Sequence, residues 1–303
     1  MVEKRQNPEE PPLELDEPIH VEDCKTPACI AHHLSNTIML AKAKTGFSRL
    51  FILGFLAGVY VGFGGEIATV VGQDPANMLG SGIIRMISGA VFTVALVLII
   101  IAGGELFTGN TLIMLSLLER KTTINLLLRN WVIVYAANFI GAIFIIIILY
   151  LTGLWAQSNF LGSVAGLKIA ALKVNLTFVE AFTRGILANW LVCLAIWMSV
   201  ATRQVIGKIF AVFFPILTFA ASGYEHCIAN MYFITKGLFL KTMPQVVNAA
   251  NLSQNELANL TVSGFIFNNL IPVTLGNIFG AVIFVACLYW FVFLKGRTPV
   301  EIK

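Results

Sequence analysis

The stretch Ala220-Ala-Ser-Gly-Tyr-Glu225-His226-Cys-Ile-Ala-Asn230 lies inside an apolar run from Ile206 to Leu240 that is too long for one straight membrane helix. It sets a glutamate and a histidine side by side where hydrocarbon would otherwise be expected. Ionisable groups at bilayer depth are costly and face a cavity or pathway, so His226 becomes the first functional candidate. Ser222-Gly223 is the expected breakpoint of the helix. Irregular backbone at that depth is tolerated only where it is buried in protein or lines a cavity.

Working outward, a second break with the same character occurs at Gly103-Gly-Glu105-Leu106-Phe-Thr108-Gly-Asn110. Each carries a glutamate five residues before an asparagine: Glu105 and Asn110, Glu225 and Asn230. Six long apolar segments surround the breaks, near Phe47 to Val71, Ile83 to Ala102, Asn130 to Leu151, Phe178 to Ala201, Ile206 to Leu240 and Leu270 to Leu294. Each approaches the roughly 20 residues that a spanning helix needs. The breaks fall in the second segment of each half. Paired interruptions at corresponding places point to an inverted repeat with its site near the midplane. The fold class expected is an all-α integral membrane protein of six transmembrane helices, two of them broken, arranged as a three-plus-three inverted repeat.

Composition agrees with this reading. Of 303 residues, 57% are hydrophobic and 12% charged, with a mean hydropathy of +0.83. A soluble domain would be near 25% charged. Eight of the 16 acidic residues lie between Glu3 and Asp23, so 18 basic residues face only 8 acidic ones from Cys24 onward. Residues 1–26 are expected to be a disordered acidic cytoplasmic tail. Residues 27–46 are expected to form an amphipathic interfacial helix, 47–295 the channel domain, and 296–303 a cytoplasmic C-terminal tail.

The polar N-terminus lacks the pattern of a cleavable signal, so the first span should serve as its own insertion signal. Loop lysines and arginines favour both termini in the cytoplasm. No basic face suits nucleic acid. Five cysteines, three of them in apolar segments, argue against a disulfide framework. Cys24, Cys29, His32 and His33 fit no standard zinc spacing, and neither a cofactor nor a metal is expected.

Several long motifs occur in order: Gly104-Glu-Leu-Phe-Thr-Gly-Asn110, Lys173-Val-Asn-Leu-Thr-Phe178, Gly185-Ile-Leu-Ala-Asn-Trp-Leu-Val-Cys193, the opening stretch, and Asn269-Leu-Ile-Pro-Val-Thr-Leu-Gly-Asn277. With them the chain from about Phe47 to Leu294 closely resembles the formate/nitrite transporter family, formate channels more than nitrite or hydrosulfide members. The resemblance implies an aquaporin-like protomer and a homopentamer with one pore per subunit. It implies a central histidine at His226, a mobile-loop threonine at Thr108, and a vestibule lysine at Lys173. Pathway asparagines fall on Asn189 and Asn277. Constrictions fall on Leu96 and Leu106 toward the cytoplasm, and on Phe92 and Phe219 toward the outside.

The function implied is passage of formate and similar monocarboxylates with proton coupling, in a plasma or bacterial inner membrane. The partners implied are the anion, protons, lipid and further copies of the chain. Nitrite, hydrosulfide or lactate is the alternative cargo. Glu105 and Gly109-Asn110 depart from the formate channel toward nitrite and eukaryotic members, and Asn175-Leu176 replaces a frequent His-His.

Other roles remain open for some of these residues. Glu105 and Glu225 can serve as structural acceptors of backbone N–H groups freed at the breaks. Asn110 and Asn230 are placed with them as helix-break residues. Asn189 can bond a neighbouring helix, Lys173 can anchor a helix end, and Arg184 can pair with Glu180 one turn away. An enzyme using His226 and Glu225 as acid and base would lack a nucleophile, a metal triad and a cofactor loop. The paired Asn-Pro-Ala signatures of water channels are absent.

Overall fold

The computed structural model describes residues 24–73 and 78–296. Most of the tail expected at 1–26 and of that at 296–303 lies outside this range; of the first, residues 24–26 are described, with the Lys25 N–H on the Ala201 carbonyl and Thr26 capping the first helix. Among the described residues the chain is helical, apart from an isolated bridge between Cys24 and Thr202. Six helices are long and apolar enough to cross a membrane: α2 (Phe47–Val71), α3 (Ser81–Gly103), α5 (Ile124–Leu151), α7 (Phe178–Ala201), α8 (Val205–Ser222) and α12 (Gly264–Phe293). The shorter α4 (Phe107–Leu118) and α9 (Cys227–Leu240) continue α3 and α8 beyond the two breaks, and α6 (Leu161–Val174), α10 (Pro244–Ala250) and α11 (Gln254–Ala258) lie between spans. The helical run at 27–44 is α1.

Two spans begin earlier than hydropathy suggests, for a local reason in each case. α5 starts at Ile124 because the Thr123 hydroxyl accepts the Leu126 N–H and caps the first turn. Arg129 extends its guanidinium to the Thr45 carbonyl, 3.0 Å away, so its charge does not end the helix. α12 starts at Gly264, and the polar Asn268 and Asn269 that lower its hydropathy point inward to hydrogen-bond α6. α6 (Leu161–Val174) is too short to span, and the sequence pattern does not announce it. Its small residues permit contact: a Cβ on Gly237 of α9 would overlap the Ala170 side chain.

The helices pair in two equivalent ways. α2 lies against α5 so closely that a Cβ on Gly58 would collide with the Asn138 carbonyl, and one on Gly141 with the Phe55 carbonyl. α7 meets α12 in the same manner, with Gly280 against the Ile186 carbonyl. Small residues let helix backbones approach within membranes, where van der Waals packing supplies much of the association energy. Each half is thus a tight first-with-third helix pair enclosing a broken second helix. That is the aquaporin-like three-plus-three inverted repeat.

α1 packs inward through Ile30, Leu34, Met39 and Ala43, all buried. The Ser116 hydroxyl of α4 donates to the Ser35 carbonyl. Away from the breaks, Glu66 of α2 is held by Tyr232 and Lys236 of α9, so that ionisable group also has partners.

Candidate functional site

Each break begins with a left-handed glycine, Gly103 at φ 99° and Gly223 at φ 75°. The backbone then extends through Leu106 in the first and His226 in the second, before α4 and α9 begin. One asparagine closes each gap. Asn138 of α5 accepts the Phe107 N–H through Oδ1 (3.0 Å) and donates Nδ2 to the Gly54 and Glu105 carbonyls (2.7 and 2.9 Å). Asn277 of α12 accepts the Cys227 N–H (2.9 Å) and donates to the Gly185 and Glu225 carbonyls (2.8 and 3.0 Å).

The two carboxylates do something other than accept freed backbone N–H groups, which corrects that expectation. Lys42 Nζ donates to Glu105 at 2.7 Å, and Asn110 Nδ2 donates to Glu105 (2.7 Å) and to Asn130 Oδ1 (2.8 Å). Asn130 Nδ2 closes the ring on the Lys42 carbonyl (2.9 Å). In the second half Lys173 donates to Glu225 (2.9 Å), and Asn230 to Glu225 and Asn269 (both 2.7 Å). There Asn269 donates to the Lys173 carbonyl (2.9 Å). Two Lys–Glu–Asn–Asn rings thus share four bonds, and each adds one of its own: Lys42 Nζ to Asn110 Oδ1 (3.2 Å) in the first, Asn269 Nδ2 to Glu225 (3.3 Å) in the second. Glu105 is met by an ammonium and one amide and Glu225 by an ammonium and two, and such partners are what make a buried charge tolerable.

Lys42, Asn130, Asn138 and Asn269 were not singled out from the sequence as site residues. The signal was present: Asn130 and Asn138 are separated by the same eight residues as Asn269 and Asn277.

His226 stands between the two rings and is 4% exposed. Its Nδ1 accepts the Ala229 N–H (3.1 Å), so a neutral ring carries its proton on Nε2. Nε2 lies 2.8 Å from the Thr108 hydroxyl of α4, which accepts that proton. The two broken helices therefore meet through one hydrogen bond.

Phe92 and Phe219 cross edge to face at 5.7 Å on one side of His226. A 20 Å³ space there is lined by Phe92, Leu96, Leu106, Phe219 and His226 among other apolar residues. Beyond Leu96 and Leu106 lies a vestibule of 630 Å³ containing Lys42 and Asn110. Beyond Phe92 and Phe219 lies one of 450 Å³ containing Lys173 and Asn230. Among the described residues, no Asp or Glu lines either vestibule.

Asn189 and Asn277 do not line the vestibules or the space between them. Asn277 is consumed by the second break, and Asn189 Nδ2 is shared among the Asn277 and Thr108 carbonyls (2.8 and 3.3 Å) and the Thr111 hydroxyl (3.3 Å). Arg184 pairs with Glu180 at 3.8 Å on an exposed face.

Two capped helix breaks thus meet at His226 beside a small apolar space, with a cavity lined by cations on either side of it. A family model described as formate/nitrite transporter matches residues 30–291. A probable formate transporter of Methanothermobacter thermautotrophicus is 41% identical over 89% of this chain and 98% of its own length. The formate channel FocA of Escherichia coli K12 is 34% identical over 82% of this chain and 87% of its own. Among solved structures, a pentameric formate channel with formate bound matches with a TM-score of 0.74 and 33% identity, covering 82% of this chain and 98% of that one. The chain is therefore an integral membrane protein of the formate/nitrite transporter family.

Proposed function

We propose that the protein carries formate and related small monocarboxylates across a plasma membrane with proton coupling, as a pentamer with both termini cytoplasmic and no enzymatic turnover. Lipid surrounds the assembly. In this reading the Lys42 vestibule faces the cytoplasm and the Lys173 vestibule faces outward. Phe92 with Phe219, and Leu96 with Leu106, are the two constrictions.

The observation that carries the reading is the His226–Thr108 hydrogen bond held between those two apolar pairs. An ion stripped of water there would cost several kcal/mol. Desolvation raises the pKa of a carboxylic acid, so formate approaching the waist is driven to take up a proton. Lys173, which gives one N–H to Glu225, offers its remaining donors to the arriving anion. As the neutral acid passes, its carbonyl oxygen replaces Thr108 as acceptor of the Nε2 proton. Thr108 and His226 re-form their bond behind it, so the polar contact is exchanged rather than lost.

Uptake into proteoliposomes at stepped pH, with formate, lactate, acetate, nitrite and hydrosulfide in parallel, tests the proposal. Formate flux should rise as the pH on the supplying side falls. His226→Phe should lower that flux on the order of tenfold, the equivalent of about one lost hydrogen bond of 1–1.5 kcal/mol. Unchanged flux in His226→Phe would sink the mechanism, and nitrite, hydrosulfide or lactate outrunning formate would reassign the cargo.

A further inference from the structure

The two lysines nearest the waist are poor sources of a long-range field. Lys173 Nζ is 2.9 Å from Glu225 and Lys42 Nζ is 2.7 Å from Glu105, so each is half of a neutral pair. A pair of opposite charges acts at a distance as a dipole, whose field dies away faster than that of a lone charge. Other cations line the same vestibules without such compensation. Arg85 of α3 and Lys168 of α6 face the Lys173 vestibule, and both are exposed. Lys25, Arg203 and Lys208 face the Lys42 vestibule. None of these five forms an ion pair among the described residues.

Glu256, outside the spans, feels the charge of Lys168. Its carboxyl is held below the usual range first by hydrogen bonds from Ser253, with the charge of Lys168 the smallest influence. In the second group, burial pushes Lys25 down, and Arg203 and Lys208 add to that shift. Burial, then the charges of Lys25 and Arg203, pushes His33 down.

We infer that anion recruitment in each vestibule is the work of these unpaired cations, Arg85 with Lys168 at one end and Arg203 with Lys208 and Lys25 at the other, while Lys173 and Lys42 act only at contact. Clefts lined by one sign of charge raise the local concentration of the opposite ion by 10-fold or more. Salt removes that gain, because the screening length falls from about 30 Å at 0.01 M to about 10 Å at 0.1 M. The inference rests on the proposed anion transport and adds which residues set its rate.

The test is initial uptake into right-side-out spheroplasts at subsaturating anion, with the bath at about 10 mM and then about 300 mM of an impermeant salt. Wild-type uptake should fall on the order of tenfold across that range. R85Q/K168Q should match wild type at high salt, lose on the order of tenfold at low salt, and show no salt slope. R85K/K168R should restore the slope. R203Q/K208Q should leave it intact, because its vestibule faces the other compartment.

An unaltered slope in both Gln pairs would overturn the inference. So would a slope abolished by Lys173→Gln in protein of normal yield while R85Q/K168Q keeps it. If R203Q/K208Q rather than R85Q/K168Q removes the slope, the inference stands and the membrane orientation is reversed. If wild type carries no formate, the cargo reading fails separately, and the salt series is run with whichever anion of the panel enters.

Discussion

The two helix breaks share a scaffold and differ in what they hold up. Aligned on their glutamates, Glu105 matches Glu225, Asn110 matches Asn230, and the asparagines that cap them correspond bond for bond. At the next position the match ends, since Leu106 corresponds to His226. Two residues further on, Thr108 corresponds to Ile228. The repeat therefore builds two closely similar mounts and places unequal residues on them. One mount contributes an apolar side chain and a hydroxyl, the other an imidazole. A symmetric pair of histidines or leucines could not form the single donor–acceptor contact seen between Nε2 and Thr108.

The sharpest way to break the comparison is to neutralise one carboxylate at a time. Glu225→Gln leaves Lys173 as an uncompensated charge in a site where the side chains are 15% and 5% exposed. A loss of about 3–5 kcal/mol is expected. Glu105→Gln should cost less, because Lys42 and Glu105 are 23% and 9% exposed and water can reach the orphaned ammonium. Thermal unfolding of the purified variants in detergent gives the order. A larger loss for Glu105→Gln would contradict the account.

A second comparison concerns the caps. Asn138→Ala and Asn277→Ala each leave one N–H and one carbonyl of the break without partners in a buried setting, while the Gly54 and Gly185 carbonyls keep their helical bonds. Each should cost about 1–3 kcal/mol, and the two should agree. Loss in one variant alone, by the same unfolding measurement, would show that the halves are not energetically equivalent.

The smallest effects are expected at the glycines. Gly103→Ala and Gly223→Ala force an alanine into positive φ, at roughly 1–2 kcal/mol each. Asparagine should rescue position 223, whose φ of 75° and ψ of 31° lie near the left-handed helical region that asparagine tolerates. It should not rescue position 103 at φ 99°. Equal recovery at both sites would show that the first break has adopted the geometry of the second.

Much of the architecture was legible because hydrophobic run length and glycine placement act locally. The spans, the two breaks and the Glu–Asn pairs could each be read from a short window. Lys42 could not, because nothing near Ala41 or Ala43 reveals that its ammonium ends 2.7 Å from Glu105, 63 residues away. Asn130 and Asn138 were hidden in the same way, as ordinary polar residues of an apolar helix. The role expected for the glutamates was displaced for a physical reason. The side-chain amides of Asn138 and Asn277 reach the freed N–H groups first, leaving the carboxylates for cations.

By itself, the sequence determined that the chain crosses a membrane six times, where its second helices must break, and which family it resembles. Those properties follow from the cost of exposing polar backbone and charge to hydrocarbon, paid residue by residue along the chain. Only the tertiary structure decided which lysine neutralises which glutamate, which cations line the vestibules, and that Thr108 is the acceptor facing His226. Those are distances between remote segments, set when α2 closes on α5 and α7 on α12.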